Sequence, residues 1–163
     1  MATMNALGTK ITVSSGREVT NDLQPSFSVY RSAAAADVTG DGTLYTVVCD
    51  TERFDKGGDF ASGIFTAPVS GLYLFRFSQY VYQFDVPATA IYATLNASNR
   101  DFTSGNTGAT VSGTGGFNGY AFADCDAFID MDAADTVTPK IMMSGTTKTG
   151  DLTSNAFQGL LVC

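Results

Sequence analysis

The segment Asp37-Val38-Thr39-Gly40-Asp41-Gly42-Thr43 sets side-chain oxygens at alternate positions and a glycine where a sharp turn is needed. That is the front half of a calcium loop, with Asp37 and Asp41 as the candidate ligands, because a hard cation takes oxygen donors held on a tight bend. The far half is missing, since Val48 stands where the closing acidic ligand belongs. The turn preferences of Asp and Gly account for the segment without a metal. A second acidic run, Asp124, Asp126, Asp130, Asp132 and Asp135, has the residue type for a cation site or a catalytic carboxylate pair. On an extended strand Asp124, Asp126, Asp130 and Asp132 share one face, opposite Ala127, Ile129 and Met131. No His or substrate-binding aromatic accompanies them, and a solvated strand face is the simpler reading.

Other chemistry is scarce. The chain contains no His, which removes the commonest general base and metal ligand. Cys49, Cys125 and Cys163 fit no metal spacing, and an odd count leaves at least one unpaired; they read as buried or terminal thiols. The net charge of −7, with nine scattered Lys and Arg, argues against a nucleic-acid partner and against docking on an anionic membrane. No apolar run reaches the length of a membrane span, and the first ten residues do not read as a secretory signal. Asn96-Ala97-Ser98 matches a glycosylation sequon but reads as a plain loop triplet. The composition therefore points away from an enzyme, and no cofactor is expected.

The elements that would position these groups are strands. The chain has 163 residues, enough for one domain with a real core, and its 17 glycines and 12 phenylalanines suit short strands and tight turns. Residues 1–24 are polar and read as an anchoring or flexible arm, with a short strand at Lys10–Val13. From Pro25 onward, β-like runs alternate with turn clusters. Strands are expected at Ser26–Arg31, Leu44–Cys49, Ile64–Ala67, Gly71–Phe84, Ala90–Asn96, Ala109–Val111, Gly119–Met131, Val137–Met143 and Ala156–Cys163. Loops are expected at Ala33–Thr43, Phe54–Phe60, Thr103–Asn118 and Ser144–Ser154. No window carries a helical period, and many short strands with regular turns indicate an all-β sandwich or barrel.

One strand stands apart. In Gly71–Phe84, Tyr73, Phe75 and Phe77 share one side while Leu72 and Leu74 share the other, with Arg76 where that second apolar face runs out. A strand apolar on both faces must be covered twice. One cover is the chain's own second sheet; a neighbouring subunit is the candidate for the other.

The spacing D-x-x-S-G-x-F-x-A-P-x-x-G-L-Y-x-F is carried by Asp59, Ser62, Gly63, Phe65, Ala67, Pro68, Gly71, Leu72, Tyr73 and Phe75. It resembles the globular head of complement component one, subcomponent q, in the tumour-necrosis-factor-like superfamily. Residues 25–29, 128–137 and 154–161 resemble further segments of that family in the right order, so the resemblance spans residues 25–163. Ala134 stands where the family usually has Gly, and Ala88–Asn118 matches poorly. The resemblance implies a ten-stranded jelly-roll sandwich that assembles as a homotrimer and acts by binding or scaffolding.

On that basis Phe27, Tyr73, Phe75, Phe77, Phe157, Gly159 and Leu161 are expected at the three-fold interface or in the core beside it. The segment Thr103–Asn118 is the expected contact surface, with Asn106, Thr107, Phe117 and Asn118 as its ligand-contact residues, because adaptable loops on a rigid scaffold carry recognition. The functional expectation is a virion structural protein, most readily of a bacteriophage. It would be a capsid decoration or cement protein, or a fibre knob, held to capsid or tail proteins by residues 1–24. The alternative is an extracellular recognition head that binds a surface glycan or receptor through apical loops.

Overall fold

In the computed structural model, residues 24–84, 88–107 and 119–162 are described, with side chains placed for all of these but 106 and 107, together with the backbone of three short strands near the N-terminus. Those are β1 (Thr3–Ala6), β2 (Thr9–Val13) and β3 (Val19–Thr20). They pair in the order β1-β2-β3 as a sheet of their own. The arm thus carries the expected strand near Lys10–Val13, which pairs with β1 through Thr9–Thr12 and with β3 through Thr12 and Val13.

The head comprises β4 (Ser26–Tyr30), β5 (Ala35–Thr39), β6 (Leu44–Thr46), β7 (Thr51–Lys56), β8 (Phe60–Ala61), β9 (Ile64–Thr66), β10 (Gly71–Phe84), β11 (Ala90–Ala97), β12 (Asp101–Thr107), β13 (Gly119–Met131), β14 (Thr136–Ser144) and β15 (Gly150–Leu161). Ten of these run along two paths, β13-β10-β15-β4-β7 and β12-β11-β14-β9-β8, and the short strands β5 and β6 add to β15 and β14. All pairings are antiparallel, and the two sheets face each other as an all-β jelly-roll sandwich of the expected ten strands plus two.

Three strands lie in segments read from sequence as loop or connector. β5 falls at Ala35–Thr39, β7 at Thr51–Lys56 and β12 at Asp101–Thr107. β7 and β12 are edge strands whose exposed polar residues show no apolar alternation; hydrogen bonding to β4 and β11 orders them. β15 likewise begins at Gly150, six residues before its apolar run starts, because Gly150 and Leu152 pair with β5. The expected strand at Ala109–Val111 lies outside the described residues.

The core between the sheets is aromatic. Phe27 stacks on Phe60 and Phe65 at centroid distances of 5.2 and 5.0 Å and meets Phe157 edge-on at 4.9 Å. Phe65 in turn meets the rings of Tyr73 and Phe75 edge-on. Each such pair adds roughly 0.5–1.5 kcal/mol beyond the area it buries.

The signature spacing is a set of turns that hold this cluster. Ser62 and Gly63 join β8 to β9 in a two-residue hairpin, both with positive φ (52° and 83°), as that tight turn requires. The carboxylate of Asp55 accepts the amides of Asp59 and Phe60 just before it. After β9, the amide of Ala67 donates to the carbonyl of Asp135 and the amide of Ala134 donates back to Ala67, both at 2.8 Å. Ser70 Oγ accepts the amide of Ala133, and the Tyr73 hydroxyl donates to the carbonyl of Val69. The Pro68–Gly71 corner is therefore laced to the Asp132–Asp135 corner, which aims β10 into the sheet.

Candidate functional site

β10 lies between β13 and β15 and shows two contrasting faces. Tyr73, Phe75 and Phe77 point between the sheets and are fully buried within the single chain, as are Phe157 and, at 1% exposure, Phe27. Leu161 packs against the same cluster. Gly159 lies opposite Phe75 on one side and Phe27 on the other. The seven residues expected at an interface or in the adjacent core are thus brought together, and they form core.

The opposite face of the same sheet points outward. Register sets its side chains in rows across β13, β10 and β15: Phe122 beside Tyr80, Asp124 beside Ser78, Arg76 between Asp126 and Gln158, and Leu74 between Phe128 and Leu160. Tyr120, Phe122 and Phe128 are 54%, 58% and 59% exposed, high values for aromatic side chains. Tyr80 and Tyr120 stack at 5.8 Å on the surface. Two apolar patches result, one around Phe122 and one around Phe128, separated by a polar band in which Arg76 lies 3.7 Å from Asp126. A shallow groove of about 330 Å3, bounded by Phe54, Leu74, Arg76 and Leu160, crosses the second patch. Clustered exposed aromatics of this kind are the usual mark of a surface that meets another molecule.

Sequence reading located this face through Leu72 and Leu74 but missed Phe122, Phe128, Tyr80 and Leu160 as its partners. The signal was present in the acidic run. Asp124, Asp126 and Asp130 do share an exposed face, and Phe122 and Phe128 hold even-numbered positions on the same strand.

The calcium-like segment forms a closed turn. The Asp41 carboxylate accepts the amide of Thr43, and the Thr43 side chain, then that amide, hold it below the usual carboxylate range. The amides of Gly40 and Gly42 donate to the carbonyl of Met143, and the amide of Asp37 donates to the carboxylate of Asp151. Among the described residues no three acidic, His or Cys side chains gather as a metal site, around Asp37 and Asp41 or elsewhere.

Cys49 and Cys125 are buried and are not poised nucleophiles. Burial, with Asp50 nearby, pushes Cys49 up to about 12, and burial also raises Cys125. The side chains of Asn106 and Thr107, and Phe117 and Asn118 entirely, lie outside the described residues, as does Cys163. Among the described residues no helix is long and apolar enough to cross a membrane.

Two five-strand paths packed over an aromatic core make a jelly-roll sandwich, and solved structures show that its fold is tumour-necrosis-factor-like. The globular domain of zebrafish complement 1qA superposes with a TM-score of 0.54 at 18% identity, over 86% of this chain and 98% of that one. Murine APRIL superposes with a TM-score of 0.52 at 13% identity, over 85% of this chain and 99% of that one. At these identities the likeness is one of fold. No protein-family model and no curated protein sequence matches the chain.

Proposed function

We propose that this chain is a non-enzymatic head domain that works as a homotrimer, its copies packing through the outer face of the β10 sheet. The observation that carries the reading is the pair of exposed apolar patches around Phe122 and Phe128 on a sheet whose other face is already filled by core. Association would cover Leu74, Phe128 and Leu160, leaving the polar band for hydrogen bonds, the arrangement of apolar core and polar contacts usual at protein interfaces. The jelly-roll class supports a three-fold arrangement, since a head-to-tail contact that closes gives a ring. Light scattering at micromolar concentration tests it. A mass of about 51 kDa, three times the 17.1 kDa chain, is expected, and a Phe122→Lys/Phe128→Lys double variant should run as a folded monomer. A wild-type monomer overturns the reading.

At the finer level, the head is proposed to be a virion component, a capsid decoration or cement protein or a fibre knob, fixed to capsid or tail proteins through residues 1–24. In support, among the described residues β1, β2 and β3 pair with one another as a sheet of their own and with no strand of the sandwich. Deletion of residues 1–24 should leave a folded trimer that no longer binds its particle; retained binding would sink the anchor. The second reading, an extracellular recognition head for a surface glycan or receptor, draws support from β12. That strand carries the chain from a polar hollow on the second sheet into the Gly/Ser/Thr/Asn-rich segment 108–118.

A further inference from the structure

We propose that the outer face of the second sheet, around Tyr92, binds a neutral pyranose sugar. Register places Leu44, Met142, Tyr92 and Gly105 in one row across β6, β14, β11 and β12. The next row holds Thr46, Lys140, Thr94 and Thr103, and the one beyond it Thr138, Asn96 and Asp101. An apolar row with an aromatic at its centre thus borders two rows of hydroxyls and carboxylate. A hollow of about 300 Å3 lies across them, with Leu44, Met142 and Tyr92 on its apolar side and Thr94, Thr103 and Asp101 on its polar side. That is the small end of the size range of ligand sites, suited to one ring.

Three details favour a sugar. The first is the Tyr92 ring. A Cβ on Gly105 would stand 2.4 Å from both the Ile91 carbonyl oxygen and Tyr92 Cδ1, so the glycine lets β12 pass close to β11 and leaves the near edge of the Tyr92 ring uncovered. A tyrosine ring lining the hollow suits the C–H face of a pyranose. The second is a hydroxyl pair. Thr94, only 4% exposed, brings its Oγ within 3.0 Å of Thr103 Oγ at the hollow. Two hydroxyls carry two protons, and one serves the bond between them, so the pair keeps one donor and spare lone pairs for a ligand. The third is Asp101. Its Oδ1 accepts the side-chain amide of Asn96, which steadies the carboxylate while Oδ2 keeps acceptor capacity. Vicinal sugar hydroxyls donate to such an oxygen and accept from such a hydroxyl. The carboxylate repels anions, and Lys140 does not line the hollow, so a neutral ring fits better than a sialic acid or a phosphate.

The site lies on the sheet opposite to the proposed assembly face, and it does not depend on assembly. Saturation-transfer NMR on the intact chain, with the methyl pyranosides of glucose, galactose, mannose and N-acetylglucosamine, tests it; N-acetylneuraminic acid is the anionic control. Transfer to the ring C–H protons of at least one neutral glycoside is expected. Tyr92→Ala should weaken it by roughly tenfold, while Tyr92→Phe retains it. Thr103→Val, which leaves the ring in place, should weaken it by about fivefold, as loss of one hydrogen bond would. No transfer from any neutral glycoside, transfer only to the acid, or transfer unaffected by Tyr92→Ala would each overturn the proposal. A monomer that binds sugar through Tyr92 would overturn the assembly reading alone, and a trimer that binds none would overturn this one alone.

Discussion

The Phe27 ring fills the space that a side chain at position 159 would need: a Cβ on Gly159 would lie 2.6 Å from Phe27 Cε1 and 2.6 Å from Phe75 Cδ1. Both rings are locked, Phe27 by its stacks on Phe60 and Phe65 and Phe75 by its edge contact with Phe65. Gly159→Ala must therefore displace two core aromatics. A loss of about 1–3 kcal/mol is expected, as for overpacking elsewhere in close-packed cores. Urea denaturation checks it, and an unchanged midpoint would show that the rings move aside freely.

Ala134 sits at φ 75°, in the left-handed region that L-residues with a Cβ enter only at a cost. It is held there by the hydrogen bond its amide donates to the Ala67 carbonyl and by the turn that Asp132 and Asp135 close. Ala134→Gly relieves that strain, at the expense of a more flexible unfolded chain. A net gain of roughly 0.5–1 kcal/mol is expected. Thermal unfolding of the two proteins side by side is the check, and a lower midpoint for the glycine variant would contradict it.

Asp135 governs acid sensitivity at the same corner. The Ser98 hydroxyl, then the Asp132 amide, hold its carboxyl below the ordinary value. A folded-state value below the unfolded one contributes stability at pH above the unfolded value, about 4, and that contribution is lost as pH falls through the folded one. The same sign applies to Asp50, held down by the amide of Ser32, and to Asp41. Asp135→Asn should therefore be less stable than the parent at pH 7, and the gap should close below pH about 4. A gap that stays constant across an acid series of melts would remove Asp135 from the account.

The buried thiols give a kinetic prediction. With Cys49 raised from 9.0 to about 12, its thiolate population at pH 8 falls by about a thousandfold. In a Cys163→Ser chain, iodoacetamide should label Cys49 and Cys125 only in denaturant. Rapid native labelling of either would mean that the sandwich opens far more readily than its packing suggests.

What could be read ahead of the structure follows from which force orders each segment. β10, β13 and the end of β15 declare themselves because burial selects alternate residues, as at Phe75, Ile129 and Phe157. β7 and β12 do not, since their residues are exposed and only backbone bonds to a neighbour define them. The exposed apolar face of the β10 sheet was half legible. Leu72 and Leu74 reveal it along one strand, but pairing Phe128 with Leu74 and Leu160 requires the register of three strands. The Tyr92 hollow was illegible for the same reason: Leu44, Tyr92 and Asp101 come from separate strands, and no spacing in the chain connects them.

β10 has a further property that follows from its two apolar faces. Between Gly71 and Phe75 the strand would read almost as well one residue out of step, because Leu72 and Leu74 could fill the core that Tyr73 and Phe75 fill. Arg76 breaks that ambiguity: a slip by one would carry its guanidinium into the space between the sheets, where an unpaired charge is prohibitively costly. The arginine thus acts as a frame marker, a single charged character that lets a strand legible in two phases be read in only one.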